Sequence, residues 1–292
     1  MQYNENARLD PSQMGSGGGS KRGGTMAIGG GVGILAIILA MVFGINPSSI
    51  LGGTSGAEQA QTSTNEWAKC QTGADIAADR DCRFVAYTNS IQSYWQQAYP
   101  GYEVTQTKLF SGQQATGCGT ATSAVGPFYC PVDKVVYLDP SFFDQMLEGQ
   151  LGAAGGDAAE AYVIAHEYGH HISNLTGVLS QVQSAGLSQA GAKSGQVRLE
   201  LQADCYAGAW LANSTKDPNS PIKAITQDDL SRAVDAALAV GDDRIQMAST
   251  GTVSPESWTH GSSQMRKYWL AQGFNSGDPS KCNTFAADAK LS

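Results

Sequence analysis

Histidine is scarce in this chain, with four among 292 residues, and three of them fall in one run, His166-Glu167-Tyr168-Gly169-His170-His171. Basic residues are the second deficit: 18 Lys and Arg stand against 26 Asp and Glu, a formal net charge of -8. Without a basic stripe to neutralise phosphates, nucleic-acid binding is excluded. Cys-x-x-Cys spacing is also missing, so the six cysteines give no sign of a structural zinc site. Their even number points instead to disulfides in an oxidising compartment. Loop economy pairs Cys70 with Cys82, Cys118 with Cys130 and Cys205 with Cys282, one of the many connectivities six cysteines allow.

Lys and Arg are absent between Arg22 and Lys69. Inside that gap, residues 26–45 read MAIGGGVGILAIILAMVFGI, enough uncharged and mostly apolar chain to cross a bilayer as a helix. Lys21 and Arg22 immediately before it set the N-terminus in the cytoplasm and the chain beyond residue 45 outside it. The apolar core is longer than that of a usual signal peptide, and no small-x-small site closely follows it. The expected organisation is a disordered cytoplasmic N-terminus over residues 1–25, a transmembrane helix over 26–45, a flexible linker over 46–65 and one domain over 66–292. The lipid bilayer is thus an expected partner. The expected location is the cytoplasmic membrane, single-pass, with the domain periplasmic or on the cell surface.

With 41% hydrophobic and 15% charged residues, the chain can bury one substantial core. Phe84, Tyr87, Ile91 and Trp95 recur at helical spacing, and Pro100-Gly101 ends that helix. The β-forming stretch 134–139 reads as a strand stopped by Pro140 and as a candidate edge for an extended substrate. Asp157 with Glu160 signals the start of the next helix and Gly177 its end. Further helices are expected over about 196–210, from Thr226 to Val240, and from Ser262 to Gly273. The fold class is α+β, helix-rich with a small sheet.

Four residues of helix advance a little over one turn, so His166 and His170 project from one face and can reach a single metal ion. Glu167 lies beside them, placed to hold and deprotonate a water, as the His-Glu-x-x-His pattern of zinc hydrolases requires. A catalytic zinc takes three protein ligands and leaves one position open. A third histidine of the metzincin kind is ruled out, because the positions it would need hold Ser173 and Thr176. Glu200 and Asp204, four apart downstream, offer the alternative. Either Glu200 completes the site while Asp204 accepts the free ring N–H of His166, or Asp204 binds the metal directly. Small Ala207 and Gly208 would let the two helices approach. His260 either donates to a developing oxyanion or caps the last helix, and Arg266 either buttresses that wall or pairs with Asp204. His171, about 100° round from His170, is read as a solvent-exposed non-ligand.

The segments HEYGHH, RLELQADCYAGAW, GPFYCPVDKVVYLD and THGSSQMR, in this order, resemble the bacterial neutral zinc metallopeptidase family. The likeness runs from about Gln61 to the C-terminus and includes the apolar span. ELQAD is also similar to the Glu-x-x-x-Asp of gluzincins, including the heat-shock membrane zinc proteases. The resemblance implies a zincin-like fold, a Zn2+ cofactor, Glu200 as metal ligand and Asp204 as the acid supporting a ligand histidine. It further implies hydrolysis of a peptide or protein substrate, with Glu167 as general base and His260 at the oxyanion. A different reading of the same residues is a non-catalytic zinc-binding envelope adaptor or scaffold. An acid at position 167, which a structural site does not need, favours the enzyme.

Overall fold

The structure, a computed structural model, describes residues 1–15, 66–186 and 188–292, and capping side chains mark the start of half of the eight α-helices among them. Along the chain these residues form β1 (Gln2–Tyr3), β2 (Met14–Gly15), α1 (Asp75–Ala78), α2 (Arg80–Ala98), β3 (Thr107–Leu109), β4 (Gln113–Thr116), β5 (Gly119–Thr122), β6 (Phe128–Cys130) and β7 (Val135–Leu138). There follow α3 (Asp157–Leu175), α4 (Val178–Ser184), α5 (Gly195–Asn213), β8 (Ile222–Ala224), α6 (Gln227–Ala239), α7 (Asp242–Thr250) and α8 (Ser263–Ser276). Asp79 caps α2 and Ser194 caps α5, each accepting a backbone N–H of the first turn, and Thr226 with Asp229 closes a reciprocal box at α6. α3 departs from expectation: Asp157 is its first residue, not its cap, and its carboxylate takes Arg83 while Glu160 takes Arg80.

The α3 and α5 pair forms the centre, with α8 packed along α5. Closeness at the α3–α5 contact comes from Gly169, where a Cβ would lie 2.8 Å from Ala203 Cα. The expectation that Gly208 serves this contact is corrected: it faces α8, where a Cβ would lie 2.1 Å from the Leu270 carbonyl. Against α3 lies a four-stranded sheet ordered β2-β3-β7-β6, with only the β6–β7 pair antiparallel. The segment 134–139 is therefore no substrate edge. β7 is paired on both sides, as its nearly unbroken apolar reading suits, and the outer strand beside it is β6. Three disulfides join Cys70 to Cys82, Cys118 to Cys130 and Cys205 to Cys282, the expected pairing.

Residues 1–15 are not the disordered tail that their polarity suggests. β1 pairs with β8, β2 extends the sheet beside β3, and Arg8 bridges Thr72. Leu9 and Met14 are buried in the main core. The polar residues between them are absorbed by hydrogen bonds, Asp10 N–H to Asn89 and the Gln92 amide to Gln13, which is why no apolar period announces the segment. The expected transmembrane helix 26–45 and linker 46–65 lie outside the described residues, and among the described residues no helix is long and apolar enough to cross a membrane. One chain cannot both cross a bilayer once between residues 15 and 66 and pair residues 1–15 with the domain. The opposite-side topology read from Lys21 and Arg22 is thus incompatible with these strand pairings.

Candidate metal centre

α3 presents two stripes, about 90° apart, to two different neighbours. One, His166 and His170, faces α5, where Glu200 rises to meet it. His166 Nε2 lies 3.1 Å and His170 Nε2 3.6 Å from Glu200 Oε2. Donors about 2.0–2.1 Å from a tetrahedral zinc stand roughly 3.3 Å from one another, so the two observed spacings bracket that requirement. All three ligand atoms fall within 4.8 Å of each other. Burial of His166 and Glu200, with His170 half-buried, gives a pocket of two imidazoles and one carboxylate that fits zinc chemistry.

Asp204, fully buried one turn after Glu200, supports this set and is not itself a member. Its Oδ1 lies 2.8 Å from His166 Nδ1, which leaves Nε2 for the metal. Arg266 settles on Asp204, with Nε 2.9 Å from Oδ2 and Nη2 2.9 Å from Oδ1. Burial would raise the Asp204 pKa, but Arg266 and His166 outweigh it and hold the carboxyl at about 2. For His166 burial works downward and Asp204 with Glu200 upward, leaving it at about 9. A metal ion held at Nε2 would take the place of that proton. Glu200 shows the same contest: burial pushes its pKa up, and His170 and His260 carry it well below the carboxylate range.

Glu167 is buried beside the ligands, and burial raises its pKa, opposed by His166 and His170. The backbone N–H of Tyr129, on β6, faces its carboxylate. His260 is buried, and although burial pushes its pKa down, Glu200 and Asp242 together outweigh that push and leave it raised. The structure thus brings together His166, Glu167, His170, Glu200, Asp204 and His260. His171 is corrected: it is fully buried, because its stripe faces β6 rather than solvent.

Two residues escaped the sequence reading. Tyr162 donates its hydroxyl to Asp204 Oδ1 at 2.6 Å. It stands one turn before His166 on the same helix face, so spacing could have found it. Asp242 holds the His260 loop: Oδ2 accepts the N–H groups of Thr259, His260 and Gly261 at 2.7, 2.7 and 3.0 Å, and Oδ1 lies 3.3 Å from His260 Nδ1. Only the tertiary closure of α7 on the start of α8 brings it there, and no local pattern could show it.

Comparison with known proteins agrees with this geometry. The chain is 46% identical over 254 residues to the uncharacterized protein Rv2575 of Mycobacterium tuberculosis, a match covering 85% of each chain. It is 39% identical over 266 residues to the uncharacterized protein YpfJ of Escherichia coli K12, covering 88% of this chain and 86% of that one. No solved structure matches it. The family described as "Putative neutral zinc metallopeptidase" matches residues 3–285, taking in the N-terminal strands as well as the helix pair, and the chain belongs to that family.

Proposed function

We propose that this protein hydrolyses peptide bonds with Glu167 as general base. The observation that carries this reading is a buried carboxylate set beside a metal set that has three, not four, ligands among the described residues. A structural zinc site closes itself with four protein ligands and has no use for that acid. Zinc held by His166, His170 and Glu200 supplies a Lewis acid for the peptide carbonyl and lowers the pKa of a water toward ~7. Glu167 takes the proton from the attacking water and delivers it to the leaving amine. His260, kept in place by Asp242, donates to the oxygen that becomes negative. Asp204, itself clamped by Arg266 and Tyr162, keeps His166 in the required tautomer. An extended substrate adds its backbone to β6, the strand next to Glu167.

Hydrolysis of an unfolded protein by the metal-loaded full chain, compared with Glu167→Gln, tests this. Turnover should fall at least a hundredfold, on the order of the general-base contribution, while bound zinc stays equimolar. Undiminished cleavage by the variant would remove Glu167 from its role.

We further infer that residues 26–45 hold the protein at a lipid bilayer, as their apolar length supports. Three disulfides favour an extracytoplasmic domain. In this reading residues 1–15 lie on the same side as the metal centre, paired with it.

A further inference from the structure

His171, third in the histidine run, takes no part in the metal set, yet it is fully buried and bonded at both ring nitrogens. Nε2 lies 2.7 Å from the carbonyl of Glu103, so this nitrogen carries the hydrogen and donates it. Nδ1, left as an acceptor, is 2.9 Å from the Tyr129 hydroxyl. Asn174 Nδ2 donates to that same hydroxyl at 2.9 Å. One phenol therefore donates to His171 and accepts from Asn174, and the assignment satisfies every partner.

The residues involved share a helical stripe. Glu167, His171 and Asn174 stand at i, i+4 and i+7, within about 60° of one another and about 90° from the His166–His170 stripe. Two ladders thus interleave in one helix, one turned to α5 and the metal, the other to β6. Tyr129 touches the second ladder at both ends. Its main-chain N–H faces Glu167, and its side chain is fixed one to two turns further along. Its neighbours Phe128 and Cys130 pair with Tyr137 and Val135 of β7, so the strand is joined to the sheet at one edge while the Tyr129 side chain ties it to α3.

We propose that Tyr129, His171 and Asn174 are positioning residues that fix the height of the substrate-bearing strand above Glu167 and the metal ligands. This rests on the peptidase reading above. A strand three residues long has little of its own to hold a register, and a substrate paired to it inherits whatever looseness it has. The clamp makes β6 and the general base move as one body.

The test uses the zinc-loaded full chain and Tyr129→Phe, which removes only the hydroxyl, with Asn174→Ala as a milder lesion. Tyr129→Phe should raise KM for an unfolded protein substrate about tenfold, the size of one lost buried hydrogen bond, with kcat within about twofold. Amide hydrogen exchange across residues 126–131 should quicken, more in Tyr129→Phe than in Asn174→Ala, while zinc remains equimolar in both. Unchanged exchange over those residues in Tyr129→Phe would overturn the clamp, and so would quickened exchange with an unchanged KM. A wild-type protein that binds zinc and cleaves nothing would instead sink the peptidase reading, and the exchange measurement would still decide whether the strand is clamped.

Discussion

The helix pair α3–α5 and the N-terminal fifteen residues are both integral to this domain, yet they are built on opposite terms. Helix pairing, with α8 laid against it, concentrates rare side chains: His166, Glu200, Asp204 and Arg266 are linked by hydrogen bonds in a buried space, and His170 stands 3.6 Å from Glu200. The N-terminal segment uses common residues and mostly backbone pairing, with Leu9 and Met14 as its only large buried apolar anchors. Chemistry constrains residue type in the first case, and topology constrains only conformation in the second. Mutations should therefore act on the two regions differently: in the first through single side chains, in the second through loss of the segment as a whole.

Asp204→Ala should give the largest effect. It leaves Arg266, 2% exposed, without its carboxylate partner, and an unpaired buried charge costs about 3–5 kcal/mol. Urea denaturation should show that loss together with weakened zinc binding. Stability within about 1 kcal/mol of wild type would mean that Arg266 finds water or another acceptor and that the helix pair is less interdependent than its geometry suggests.

Deleting residues 2–14 should come next. Two buried side chains, Leu9 and Met14, and two strand pairings are lost, about 3–4 kcal/mol from apolar burial alone, with zinc stoichiometry unchanged. An unaltered midpoint would mean that the segment is dispensable and would dissolve the comparison. The same pairing can be read covalently in the full chain. Arg8 and Thr72 face each other across an antiparallel bridge, where partner Cα atoms stand about 4.5–5.5 Å apart, within disulfide range. Arg8→Cys with Thr72→Cys should yield that crosslink by non-reducing peptide mapping. Two free thiols that label only from opposite sides of the membrane would restore the single-crossing topology.

Gly169→Ala probes the closeness that the helix pair needs. The added methyl would sit 2.8 Å from backbone and 3.0 Å from the side chain of Ala203, so the helices must part slightly. Overpacking of this kind costs about 1–3 kcal/mol, and because His166 and His170 flank the position, zinc affinity should fall as well. A stability loss with intact affinity would show that the metal ligands tolerate the shift.

What was legible in the sequence follows the same division. His166, His170 and Glu200 were readable because a metal needs donors of few kinds at helical spacing. The helices were readable because caps such as Thr226 and Ser262 mark their first turns. β6 was missed as the outer strand because Phe128–Cys130 is three residues long and carries no alternation. His171 was misplaced because angle from His170 says which way a residue points and not what waits there. The N-terminal strands, two residues each, fall below any periodicity, and the run of glycine, serine, lysine and arginine after them argues for a tail.

The smallest effect should come from Asn89→Ala, on the face of α2 that receives the N-terminal segment. Its side chain accepts the Asp10 N–H at 2.7 Å and donates to the Asp10 carbonyl and to Gln13 Oε1, both at 3.0 Å. These bonds are partly open to solvent, so water replaces much of what is lost and the net cost should be about 1 kcal/mol. Because the segment is held by many such modest ties rather than one anchor, hydrogen exchange should quicken over residues 8–14 while β1 at residues 2–3 keeps its protection. Exchange that quickens along the whole of residues 1–15 would mean that the segment docks as a single cooperative unit. In that case it would resemble the helix pair more closely than its side chains suggest.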